Sequence, residues 1–321
     1  DCFKPAFNYR PKQSAQYALA ISNFEESIES PQRYNFGFIA STDDHTARPG
    51  TGYKQYERRK MTFATGVKSK MWEYQYKAED PRFPEIPKIT PGESQPDSER
   101  VSSFVYPGGI LAVHAKGRGK DEIWAALKNK NVYGTSGPRI LLWFDLINSP
   151  EGQAPMGSEI TMSQNPRFIV RAAGSFKQKP GCSNESIDSF SAKRLDYLCA
   201  GECYNPSNQR EVIEKIEVIK ITPQVYAGEA VSPLIQDPWK SIPCQGKGEC
   251  IVEFEDQDFS RDSVYYVRAI QSPTPAINGS PLFQRDNFEL CKGSFRTGLK
   301  DDCLSMTNER AWSSPIYVDK P

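Results

Sequence analysis

Apolar positions in the first half of the chain recur at two different periods. Between Ser14 and Glu29, Ala15, Ala18, Leu19 and Ser22 share one helical face, with Tyr17, Ala20, Ile21 and Phe24 beside it. That spacing predicts a largely buried helix of about four turns, stopped by Pro31. Phe36, Phe38, Ile39 and Ala40 then form an apolar run that breaks into Ser41, Thr42, Asp43, Asp44 and His45. This is the pattern of a strand that delivers polar groups to a loop, and a helix feeding such a strand is α/β grammar. Residues 78–103 are rich in Pro, Glu, Ser and Asp without periodicity and read as a long surface loop. The run ILAVHA at 110–115 reads as a buried strand. A helix is expected from Lys120 to Lys130, with Asp121 and Glu122 in its first turn, Lys128 and Lys130 in its last, and Ile123, Trp124 and Leu127 facing inward. A turn at Gly137 and Pro138 then leads into a strand with Ile140, Leu142, Phe144 and Leu146 alternating.

After residue 147 the pattern changes. RFIVRAA, KIEVIKI, CIVEFE, SVYYVRAI and SPIYV are strand-like runs separated by Pro, Gly, Asn and Asp, and between them only a short turn near Glu211 to Glu214 looks helical. The expected organisation is therefore α/β over residues 1–147 and all-β, most simply a sandwich, over residues 148–321.

Composition narrows the function classes. The 321 residues carry 40 basic and 40 acidic side chains, which removes any global electrostatic argument for nucleic acid or an anionic membrane. No run of about 18 or more apolar residues is present, so no membrane span is expected. Of the eight cysteines, seven follow residue 180, spaced as C-x3-C at Cys199 and Cys203, C-x5-C at Cys244 and Cys250, and C-x11-C at Cys291 and Cys303. None is a C-x-x-C pair and neither histidine is near them, so disulfides are expected rather than a zinc knuckle, and with them a periplasmic or secreted setting. The connectivity is not deducible from spacing, and Cys2 stands apart.

Residues two apart on a strand point the same way, so Asp43 and His45 would project together from the carboxyl end of the run 36–40. A carboxylate oxygen and an imidazole nitrogen suit zinc, manganese or iron. Asp44 could orient His45, and Arg48 and Lys54, in the glycine-bearing segment that follows, could contact a phosphate. His114 is a further candidate ligand, set against a role as a hydrogen-bonded core histidine. Neither a G-x-S-x-G elbow nor a glycine-rich nucleotide loop is present, and Ser136, in TSGP, sits in turn chemistry.

The blocks GFIASTDDHTARPGTGYK, GGILAVHAKGRGKDEIWAALKNKNVYGTSGPRI, VYYVRAIQSPTPAING and AWSSPIYV resemble the carboxyl-terminal half of a bacterial family catalogued as domain of unknown function 3604, related to the PHP (polymerase and histidinol phosphatase) metallophosphoesterases. The resemblance implies the late part of a distorted (β/α)7 barrel ahead of the disulfide-stapled sandwich, with up to three divalent metals and Asp43-x-His45 matching a late ligand motif. It also implies ligands that these residues lack, since no His-x-His motif is present. The expectation is a metal-dependent phosphoesterase-like hydrolase acting on a small phosphorylated substrate. An amino-terminal portion or a second chain would complete the barrel. The rival expectation is a non-catalytic exported binding or structural module.

Overall fold

The structure is a computed structural model and describes residues 14–41, 109–199, 203–246, 248–277 and 304–321. Its centre is a large sheet in which β12 (Ile235–Pro243), β11 (Ile213–Ile221), β14 (Ser263–Ile277), β15 (Leu304–Ser313), β4 (Val132–Thr135) and β3 (Ile110–Val113) lie side by side, with β16 (Ile316–Asp319) on β14 and β7 (Glu159–Thr161) on β16. A second sheet has the order β13 (Glu249–Glu255), β8 (Arg167–Ala173), β5 (Leu141–Ser149) and β6 (Gly152–Pro155). All pairings in the two sheets are antiparallel except that of β16 with β7.

Alternation explains how the two sheets meet. Leu142, Phe144 and Leu146 of β5, Phe168 and Val170 of β8 and Phe254 of β13 form one core with Ile216 and Val218 of β11, Tyr265, Val267 and Ala269 of β14, and Ala311 of β15. Phe144, Phe168 and Phe254 stack on one another with ring centroids 5.0 to 6.3 Å apart. The large sheet is also covered on its outer face. Ile219, Ile221, Val264, Tyr266 and Tyr317 pack there against Leu19 and Ala20 of α1 (Ala15–Ala20) and against Phe36 and Phe38. Strands buried on both faces need near-continuous apolar sequence; VYYV of β14 supplies it, while in β11 the adjacent Val218 and Ile219 turn to opposite cores.

The strands expected beyond residue 147 are all present, and β5 runs across position 147 itself. The barrel expectation is overturned. With 47 % strand against 15 % helix the described chain is mostly β and holds no closed barrel. The physical reason is visible at α2 (Lys120–Lys128), which joins β3 to β4: the two strands are antiparallel neighbours, whereas a barrel crossover requires parallel ones. On α2 Asp121 and Glu122 stand in the first turn and Lys128 in the last, but the helix stops before Lys130, Ile123 and Trp124 are exposed, at 39 % and 60 %, and Ala126 is the buried residue. The strand at 110–115 is a half-buried edge strand rather than a buried one.

The helix expected from Ser14 to Glu29 ends at Ala20. Short polar side chains take over the backbone beyond it: the Ser22 N–H donates to the Gln224 side chain, the Glu25 N–H to Asn23 Oδ1 and the Ser30 N–H to Ser27 Oγ. Such local bonds compete with helical ones. The apolar run 36–40 joins no ladder among the described residues. Instead the Phe36 N–H donates to Tyr317 Oη, which donates in turn to the Phe36 carbonyl, and the Phe38 N–H donates to Ser314 Oγ. The Gly109 N–H closes the segment by donating to the Ser41 carbonyl at 2.8 Å.

Two helices that the sequence pattern did not announce, α3 (Asn184–Ser189) and α4 (Ala192–Cys199), ride on a separate pair of strands, β9 (Phe176–Pro180) and β10 (Tyr204–Arg210). The turn expected at Glu211 to Glu214 is not helical. Disulfides join Cys182 to Cys203, closing that excursion, and Cys244 to Cys250, closing the link from β12 to β13. Both bonds are consistent with a secreted or periplasmic protein. Among the described residues no helix is long and apolar enough to cross a membrane.

Candidate functional site

Of the residues singled out from sequence, Asp43, Asp44, His45, Arg48 and Lys54 lie outside the described residues, as does the loop 78–103. His114 is described. It follows β3 directly, its backbone N–H donates to the Asn131 carbonyl, and its Nε2 lies 2.8 Å from the Leu142 carbonyl. A carbonyl only accepts, so Nε2 carries the proton there. The ring sits 5.3 Å from that of Tyr133 and 5.8 Å from that of Trp143. In this setting His114 ties the edge strand to β5. Among the described residues no group of three or more His, Cys, Asp or Glu side chains is placed to hold a metal ion.

Two clusters stand out among the buried polar groups of the described residues. In the first, Lys220 of β11 forms an ion pair with Asp256, whose carboxylate also accepts the Tyr265 hydroxyl of β14. Lys220 Nζ stands 5.2 Å from the centre of the Trp239 ring, and the Asp258 N–H adds a bond to the second carboxylate oxygen at 3.2 Å. Burial, with Asp256 as hydrogen-bond partner and neighbouring charge, pushes the Tyr265 hydroxyl far above its ordinary range, so it stays a donor. Each charge has its opposite, and the cluster reads as structural.

The second cluster lies where β4, β14 and β15 come together. Along β15 the residues facing the core alternate as Glu309, Ala311 and Ser313, so Glu309 occupies a core position and is only 4 % exposed. Its Oε2 accepts the Ser136 hydroxyl at 2.5 Å, and Thr274 supplies a second side-chain bond. Ser136 ends the loop side of β4, half-buried, and is fixed by two backbone bonds to Arg310: its own N–H donates to the Arg310 carbonyl at 2.9 Å, and the Arg310 N–H donates to its Oγ at 2.8 Å. Burial pushes the Glu309 carboxyl up to about 7, outweighing the hydrogen bonds and the Arg310 charge that act the other way.

The register explains why a carboxyl can sit there. Ile270 pairs with Arg310 and Pro273 with Asn308, so Gln271 and Ser272 together stand opposite Glu309 in a bulge. Gln271 is fully buried, its Oε1 accepting the Ser175 N–H at 2.8 Å and hydroxyl at 3.0 Å, while its Nε2 has no partner among the described residues. Thr307 Oγ1, close by on β15, is likewise buried without a partner among the described residues. A bulge of this kind re-aims side chains and is a common companion of functional sites.

From sequence Ser136 reads as a turn residue, and Glu309 is not among the expected site residues. One signal was there: in TNERAWSS the period that buries Ala311 places an acid on the same face.

No curated protein and no solved structure matches this chain. Residues 23–179, the stretch that carries Asp43-x-His45, Ser136 and β3 to β8, match the family described as Protein of unknown function (DUF3604), and that match supports placing this stretch in that family.

Proposed function

We propose that the chain is part of an exported metal-dependent hydrolase of phosphate esters, related to the PHP metallophosphoesterases, in which Asp43 and His45 are metal ligands. The observation that supports this reading is the anchoring of Phe36 to Ser41. Tyr317, Ser314 and Gly109 hold that segment on the outer face of the large sheet, so the chain enters the Asp43-x-His45 motif from a fixed point. Catalytic groups perform best on such rigid supports. A carboxylate and an imidazole suit zinc, manganese or iron, and the further ligands a catalytic site needs would come from an amino-terminal portion or a second chain. The bound ion would polarise a phosphoryl oxygen and lower the pKa of a coordinated water. Asp44 would fix the orientation of His45, and Arg48 and Lys54 would hold the phosphate by charge-assisted hydrogen bonds. Elemental analysis of the purified protein, together with hydrolysis of p-nitrophenyl phosphate, tests this. Bound zinc, manganese or iron that is lost in Asp43→Ala, along with the hydrolysis, is the expected result.

The second reading, a non-catalytic exported binding or structural module, is favoured by the core that the two sheets share and by the Cys244–Cys250 bond between them. Metal-free protein whose Asp43→Ala form behaves as wild type in both assays would select it.

A further inference from the structure

We propose that Ser136 and Glu309 form a nucleophile and base pair that takes an acyl group from small carboxylic esters, independently of any metal.

Three groups in a chain of hydrogen bonds mark an activated nucleophile: the attacking hydroxyl, a base within reach, and a third group that orients the base. Ser136 Oγ, Glu309 Oε2 and Thr274 stand in that order, with 2.5 Å between hydroxyl and carboxyl. The site is not an isolated turn motif, because the fully buried Gln271 stands opposite Glu309 in the bulge with its Nε2 amide unpartnered among the described residues. Ser136 is half-buried rather than sealed, so an ester can approach the hydroxyl while Glu309 stays away from water. The Arg310 N–H, donating to Ser136 Oγ at 2.8 Å, fixes the position of the hydroxyl against Glu309. A carboxyl whose affinity for protons has been raised by burial is a stronger base than an exposed one.

The step balances without a further reagent. Ser136 Oγ bonds to the ester carbonyl carbon as its proton passes to Glu309 Oε2. The carbon–oxygen bond to the alcohol then breaks, and the alcohol leaves with that proton. Water, deprotonated by the same carboxylate, afterwards releases the acid and restores Ser136. The base in this step is a carboxylate in place of the histidine of the common serine triads.

The test is incubation of the purified chain with a fluorophosphonate probe and, separately, p-nitrophenyl acetate, read by intact mass and by peptide mapping. The expected result is one adduct, mapped to Ser136, that forms faster as pH rises through neutrality and at least tenfold slower in Glu309→Gln of unchanged circular dichroism. Mapping of the wild-type adduct needs no variant, so a misfolded substitution does not decide the outcome. No adduct on the folded wild type, an adduct on another residue, or an unchanged rate in folded Glu309→Gln each overturns the proposal.

Discussion

Lys220, Asp256 and Tyr265 on one side, and Ser136, Glu309 and Gln271 on the other, are two polar clusters buried against the same large sheet. They differ in how they are satisfied. Asp256, fully buried, has a cation, a hydroxyl and a backbone N–H around it. Among the described residues Glu309, almost as deeply buried, has hydroxyl partners and no ion pair, and its neighbours Gln271 and Thr307 each keep one atom unpartnered. A buried group left short of partners costs stability. A cluster that carries such a cost within an otherwise well-packed core is a better place to look for chemistry than one that does not.

The comparison breaks first at Lys220. Its replacement by methionine keeps the bulk over Trp239 but strands the Asp256 charge, and should cost about 3–5 kcal/mol in urea unfolding. A loss below about 1 kcal/mol would mean that Asp256 is not held as an ion pair, and the two clusters would cease to differ.

Glu309 gives the next largest effect, through pH. Its carboxyl is raised from 4.5 to about 7 in the folded chain. Between those values the folded protein holds a proton that the unfolded chain has released, so stability falls as pH rises across the window and levels off above it. The full span is on the order of 3 kcal/mol. Glu309→Gln should flatten that slope and be the more stable protein near pH 8, while the wild type keeps it.

The smallest effect concerns the segment that leads to Asp43. Tyr317→Phe deletes both bonds to Phe36 while keeping the ring in the outer core. A loss of about 1–2 kcal/mol is expected, with faster hydrogen exchange at the Phe36 and Phe38 amides and none at β5. Uniform acceleration throughout the chain would show that the segment is not held separately from the sheets.

The sequence was most legible where one face of a strand is buried. Leu142, Phe144 and Leu146 alternate because they line a single core, as do Phe168 and Val170 of β8, whereas β11, β14 and β16, buried on both faces, were readable as dense apolar runs. It was least legible where a side chain, rather than a period, decides the backbone. Ser22, Asn23 and Ser27 end a helix that the apolar spacing extends, and Tyr317 and Ser314 capture an apolar run that looks like a strand. The barrel failed for a topological reason, since a helix between two strands does not state whether they run parallel. Disulfide pairing of Cys182 with Cys203 was hidden because Cys199 offers a nearer neighbour in sequence. At the site, Ser136 was visible as a turn and Glu309 was not, because their partnership spans 173 positions and depends on a bulge that no local pattern encodes.

The direct test of the contrast is the titration of Glu309 itself, followed by its side-chain carboxyl carbon in nuclear magnetic resonance, with Glu309→Gln to assign the signal. A midpoint near 7 is predicted, moving in Ser136→Ala, which removes one bond to the carboxylate. A midpoint near the ordinary 4.5 that is indifferent to Ser136 would contradict the account.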